Sequence, residues 1–136
     1  MIADTKNLTV FPTAWKVGLS PTTKLQLIAS ADIGYFGAQA LLRPKEFSGR
    51  AISLAGDELT FDEANAIFKE KVGKDIPTTF GFVGSGLIWA VKGVGLMFKF
   101  FEEVGYAADI QRLRKEHPGL LSLSDWLETS VFAAEK

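Results

Sequence analysis

The segment from Val83 to Phe101 is the feature that most constrains how this chain can fold. It predicts one long helix that is apolar on every side and weakened by four glycines, with Gly105 ending it. A helix of this kind must be buried on several sides. Its most apolar part, from Phe80 to Val91, falls well short of the roughly 20 residues that span a bilayer. We therefore expect a buried helix and no membrane partner, with a ligand or a second subunit completing its cover.

The composition excludes several kinds of site. The absence of cysteine excludes disulfides and thiolate metal sites, and a single histidine excludes zinc centres that need two. A formal net charge of -1, with both signs interspersed, argues against a nucleic-acid partner, which needs a basic stripe. The length predicts a single domain, residues 1–136. The start, from Met1 to Asn7, has no apolar run, so we expect no signal peptide and a cytoplasmic protein.

The first half of the chain predicts two short strands separated by a helix. Residues 25–29 alternate partly, and residues 50–55 form the clearer strand. Between them, residues 30–32 offer capping side chains, and the Arg-Pro pair at 43–44 ends the helix. Apolar and small residues at helical spacing predict one buried face, made of Ile33, Phe36, Gly37, Ala40 and Leu41.

The second half predicts helices with recognisable ends. Thr60 and Glu63 form a capping box for a helix that runs to about Val72 and ends at Gly73. The remaining helices are shorter: one over 13–18 opened by Pro12, one over Asp109–Glu116, and a last one capped by Ser124. These elements predict an α+β fold, mostly helical, with a small two- or three-stranded sheet. One core is expected, formed by Phe36, Ala40, Ile52, Leu54, Phe61 and Phe68.

An ordered series of short stretches resembles a known family. It starts with Asp-Ile-Gly at 32–34 and the helix that follows. It continues with Gly-Arg-Ala-Ile-Ser-Leu-Ala-Gly-Asp-Glu-Leu-Thr at 49–60, Glu-Ala-Asn at 63–65, residues 105–110, His-Pro-Gly-Leu at 117–120 and Trp-Leu at 126–127. From about Asn7 onward, the series resembles the C-terminal half of NmrA-like proteins, which are atypical relatives of short-chain dehydrogenases, and especially their fungal branch.

The resemblance implies a fold without a nucleotide site. In NmrA-like proteins the N-terminal half resembles a Rossmann domain and carries the glycine-rich turn, the parallel sheet and the NAD(P) site. This chain is expected to be truncated, beginning after that half, so we expect no cofactor. The implied function is that of a stand-alone substrate lobe that binds a small, largely apolar molecule or a protein partner. A truncated gene product without independent activity is a further alternative.

The dehydrogenase and hydrolase motifs are incomplete in this chain. Residues 84–86 begin a G-x-G, with Glu102 about twenty residues on, but Trp89 stands where the third glycine is needed. Neither tyrosine is followed four residues later by a lysine, so the Tyr-x-x-x-Lys pair is missing. No G-x-S-x-G is present, and His117 is interpreted as the end of a helix.

The alternative function is a cofactor-independent isomerase, cyclase or lyase that works by acid–base chemistry. Its candidate proton-transfer residues are Tyr106, Glu102, Asp109 and Asp32. Glu102 follows the apolar helix, and a carboxylate against an apolar wall can have a raised pKa, although a solvated charge at a helix end is the simpler interpretation. An aromatic ligand pocket is predicted at Trp89, Phe98, Phe101 and Tyr106.

The predicted strand at 50–55 also indicates a second subunit. In the resembled family this strand joins a larger sheet, so its backbone groups need other partners here. Residues 25–29 can supply hydrogen-bond partners for one of its edges at most. The apolar faces of 33–41 and 83–101 also lack the part of the protein that would cover them. We therefore predict a homodimer, intertwined about a two-fold axis. Its interface should exceed roughly 2,000 Å², with the ligand pocket between the subunits.

Overall fold

The computed structural model describes residues 9–130 and 132, so the prediction made for residues 1–7 lies outside the described residues. Helices dominate, and the described residues contain a two-stranded antiparallel sheet, which confirms the predicted α+β class. In chain order the elements are α1 (Val10–Gly18), β1 (Leu25–Leu27), α2 (Ser30–Leu42), α3 (Pro44–Phe47), β2 (Asp57–Leu59), α4 (Phe61–Val72), α5 (Gly81–Ala90), α6 (Lys92–Glu103), α7 (Ile110–Glu116) and α8 (Leu123–Thr129).

The sheet is three residue pairs long. β1 runs antiparallel to β2, with Leu25 opposite Leu59 and Leu27 opposite Asp57. The first predicted strand is confirmed over its first three residues. The strand predicted over 50–55 is wrong as a sheet element, because the ladder begins only at Asp57.

The sheet stops where β1 turns into a helix. A longer ladder would place Ala29 opposite Ala55, but Ala29 is already the N-cap of α2. Gly56 makes the last contact, and its N–H donates to the Leu27 carbonyl oxygen at 2.7 Å. A side chain is excluded there, because a Cβ on Gly56 would lie 2.1 Å from the Leu121 carbonyl oxygen.

α2 buries a narrower face than its sequence predicts. Asp32 and Phe36 are its buried residues, whereas Ile33 is half exposed and Leu41 is 83% exposed. The predicted apolar face is therefore wrong except at Phe36, since the described residues cover α2 only along the line through Asp32 and Phe36. The predicted cap is wrong as well, because the N-cap residue Ala29 has no side chain that can accept the hydrogen bond.

α4 has the predicted ends. The Thr60 hydroxyl accepts a hydrogen bond from the Glu63 N–H at 3.2 Å, and the Glu63 carboxylate accepts one from the Thr60 N–H at 2.8 Å. This reciprocal pair satisfies two N–H groups that the helix leaves free. The helix ends at Gly73, as predicted. Its first residues face α1, and its last residues face α8.

The long helix predicted over 83–101 is wrong, because the chain breaks into α5 and α6 at Val91. The backbone of Val91 is extended, and the two helices are bent by 104°. Gly95 permits this close crossing, since a Cβ there would lie 2.7 Å from the Ile88 carbonyl oxygen. None of the described helices is by itself both long and apolar enough to cross a membrane, and only the bent α5–α6 pair, taken together, meets that criterion.

The shorter helices match their predictions in part. Pro12 lies in the first turn of α1, where its missing N–H costs no helical hydrogen bond. The Asp109 carboxylate caps α7 by accepting a first-turn N–H. α8 starts earlier than predicted, because Ser122 rather than Ser124 is its N-cap and forms a capping box with Asp125.

The core is divided among three clusters in the part of the chain that the structure describes. The first holds Trp15, Ala64 and Phe98; the second holds Phe36, Ala55 and Leu113; and the third holds Phe68, Val72 and Leu127. The single predicted core is wrong: Ile52 and Leu54 join Phe36, but Phe61 packs on the first cluster, Phe68 belongs to the third, and Ala40 belongs to none of them. α4 separates the first cluster from the third, because its two ends contact different helices.

Candidate functional site

A pocket of about 260 Å³ opens between β1, the end of α6 and the start of α8. β1 and the turn into α2 form one wall, and the residues that precede and open α8 form another. Its apolar lining includes Phe11, Leu27, Ile28, Phe101, Leu121 and Leu123. Concave sites with mostly apolar walls are the usual form of a small-molecule site.

Aromatic rings form the α6 side of the pocket. Phe101 is buried, and its ring contacts Tyr106, with the centroids 5.4 Å apart. Phe98 lies behind Phe101 at 6.0 Å in a T-shaped arrangement and is 2% exposed. The three rings therefore form a continuous row of edge-to-face and tilted contacts from the first core cluster to the pocket.

The polar groups of the lining are largely bound to the protein itself. The Gln26 side-chain amide accepts a hydrogen bond from the Ala108 N–H at 3.0 Å and donates one to the Ala108 carbonyl oxygen at 3.1 Å. The Asp57 carboxylate accepts one from the Leu123 N–H at 3.1 Å. Because these polar groups are bonded to the protein itself, the lining offers a ligand mostly apolar contact.

Tyr106 is the polar exception in this pocket. The residue is 54% exposed, and its hydroxyl has no hydrogen-bond partner among the residues that the structure describes. A phenolic O–H can donate and accept, so it can orient a ligand that enters between Phe101 and the residues preceding α8.

The structure brings together only part of the predicted aromatic pocket. Phe101 and Tyr106 line it, and Phe98 contacts it only through Phe101. Trp89 is 88% exposed and belongs to a separate groove beside Lys92. The difference arises from the break between α5 and α6, which points the two helices in different directions.

Two of the predicted proton-transfer residues have structural partners outside the pocket. The Glu102 carboxylate accepts hydrogen bonds from the Thr23 hydroxyl at 2.7 Å and the Ser20 N–H at 3.1 Å. These bonds, the Thr23 bond foremost, lower the pKa of Glu102 below its ordinary value. The direction is opposite to the raised pKa that the neighbouring apolar helix suggested. It agrees with the simpler interpretation of Glu102 as a solvated charge at a helix end. Asp109 caps α7.

Asp32 belongs to a buried polar cluster that the sequence analysis missed. Its carboxylate lies 3.2 Å from Nε2 of His117 and accepts a hydrogen bond from the Leu121 N–H at 3.1 Å. The Tyr35 ring stacks on the imidazole, with the centroids 3.8 Å apart. Asp32 is 2% exposed. The one signal in the sequence was that Asp32 is the only charged residue of α2.

This cluster positions the pocket wall rather than opening into the pocket. Leu121 lines the pocket, whereas Asp32 and His117 do not. The described residues contain no group of three or more histidine, aspartate or glutamate side chains able to hold a metal ion. Of the four predicted proton-transfer residues, Tyr106 alone lines the pocket, and the catalytic role remains a prediction.

The comparison with known proteins agrees with the resemblance. The family model described as the NmrA-like family matches residues 3–121. No protein with a curated description matches the chain. Because the matched region covers most of the sequence, the chain belongs to the NmrA-like family.

Proposed function

We propose that this chain is the substrate-side lobe of an NmrA-like protein and binds a small, largely apolar molecule in the pocket beside Phe101 and Tyr106. The observation that carries the proposal is the pocket of about 260 Å³, whose polar groups are mostly bonded to the protein and whose wall offers one available hydroxyl. An apolar ligand gains by leaving water, and the hydroxyl fixes its orientation.

The assignment to the substrate side is supported by the order of the family-like stretches and by the sheet. Among the described residues the sheet has two antiparallel strands, whereas a dinucleotide site needs a parallel sheet and a glycine-rich turn. We propose on these grounds that the chain binds no NAD(P), and a cytoplasmic location stays a prediction. Fluorescence titration with NADPH should show no saturable binding; micromolar binding at one site per chain would contradict the proposal.

Native mass spectrometry after incubation with a metabolite extract tests the pocket directly. The expected result is a bound small molecule in the unmodified protein and its loss in Ala29→Phe, because Ala29 lines the pocket and a phenyl ring there would occupy space that the ligand needs. Tyr106→Phe keeps the ring and should weaken retention only of ligands that bond to the hydroxyl.

The control for these variants is Trp89→Ala, which removes a ring from the separate groove and should retain the ligand. Equal loss of the ligand from Trp89→Ala and Ala29→Phe would contradict the assignment to this pocket. Retention in Ala29→Phe, with the variant folded by circular dichroism, would contradict it too.

A further inference from the structure

Residues 51–55 belong to no helix and to no hydrogen-bonded strand of the described structure. Exposure alternates from Ala51 to Leu54: Ala51 and Ser53 are exposed, while Ile52 and Leu54 are half-buried and pack on the second core cluster. A period of two is that of an extended strand with one face on a core. Yet no hydrogen bond joins the backbone of 51–55 to any residue that the structure describes.

An open edge of this kind is a template for pairing with another chain. Ala55 is fully buried, so the accessible part of the edge is residues 50–54. We propose that this edge pairs with the same edge of a second copy of the chain, antiparallel across a two-fold axis beside Ile52. In that register Ala51 lies opposite the partner subunit's Ser53, and each strand supplies the N–H and C=O groups that the other lacks.

The side chains at the edge favour a second copy as the occupant. Those at its exposed centre, Ala51 and Ser53, are small and uncharged, and the edge carries none of the lysines or prolines that block pairing. Two identical strands can therefore approach each other without a steric or charge conflict at the axis.

The groove beside this edge carries balanced charge. It measures about 250 Å³ and is bordered by Arg50, Arg112, Asp109 and Glu116. Arg112 is paired with Glu116, while Arg50 forms no salt bridge with any described residue. A strongly charged partner gains little net attraction from a groove that carries two charges of each sign. Across a two-fold axis, each groove instead faces the identical groove of the second copy, with the same mixture of charges.

This inference is independent of the proposed ligand site, because none of residues 50–54 lines the pocket beside Phe101. It also gives the predicted homodimer a different basis. The prediction that residues 25–29 pair with one edge of this segment is wrong, because β1 pairs with β2, and neither edge of 51–55 has a hydrogen-bonded neighbour among the described residues. The two proposals can fail separately. A dimer that binds no ligand would contradict only the proposed ligand site, and a monomer that binds a ligand would contradict only the proposed pairing of the two edges.

Cysteine cross-linking tests the register, because the chain has no cysteine of its own. Ala51→Cys and Ser53→Cys are made as separate proteins, mixed, and treated with a mild oxidant. The expected product is a disulfide-linked heterodimer in the mixture and much less linking of either variant alone, because each residue faces the other across the axis. Cross-strand neighbours have Cβ atoms about 4.5–5.5 Å apart, close to what a disulfide needs.

Ser85→Cys, an exposed serine on α5, is the matched control and should stay unlinked. Sedimentation of the unmodified protein should show a dimer at micromolar concentration. A stable, folded monomer there would overturn the proposal, as would linking of Ser85→Cys to the same extent as the mixture. Efficient linking of Ala51→Cys with itself would overturn the register.

Discussion

Phe68→Ala is the sharpest test of how α4 is packed. Phe68 is 6% exposed and lies in the third core cluster with Val72 and Leu127, its ring 5.3 Å from that of Phe132. Burying a phenylalanine side chain contributes about 1.5–3 kcal/mol, and the void left by its removal adds a further cost of about 24 cal/mol per Å³ because the surroundings relax only in part. We therefore expect a loss of about 3–5 kcal/mol in the free energy of unfolding.

Urea unfolding followed by circular dichroism measures this loss, with Phe82→Ala as the matched control. Phe82 is 74% exposed, so its truncation should change the free energy of unfolding by less than about 0.5 kcal/mol. A loss below about 1 kcal/mol for Phe68→Ala would refute the assignment of Phe68 to a packed cluster between α4 and α8.

Three further substitutions probe the framework of the site. Gly56→Ala should lower the melting temperature sharply, because its Cβ would lie 2.1 Å from the Leu121 carbonyl oxygen; an unchanged melting temperature would contradict that contact. Thr60→Ala removes the α4 cap and should cost about 0.5–2 kcal/mol in urea unfolding, and a neutral result would argue against the capping box. Glu102 has a lowered pKa, so its stabilising bond to Thr23 is present above the ordinary value of 4.5 and is lost as the pH falls through the folded pKa. The difference in unfolding midpoint between the unmodified protein and Glu102→Gln should therefore shrink as the pH falls. A difference that stays constant from pH 7 to pH 3 would contradict the stabilising role of the Glu102–Thr23 bond.

Local chemistry in the sequence determined the elements whose signals lie within a few residues of one another. The ends of α4 were predictable because Thr60 and Glu63 bond to each other across three residues, and Gly73 ends the same helix. α7 was predictable from Asp109 for the same reason. The mostly helical α+β class follows from adding such segments together, and Phe101 and Tyr106 were predictable pocket residues because aromatic rings follow the apolar helix closely.

Only the tertiary structure decided what depends on residues far apart in the chain. The Asp32–His117 contact joins residues 85 positions apart, and no spacing rule indicates it. The break at Val91 depends on how closely α5 and α6 cross. Residues 51–54 have the alternation of a strand, but β1 turns into α2 before it can pair with them. Conformational preference is a property of neighbouring residues, whereas a strand's partner is a property of how distant segments pack.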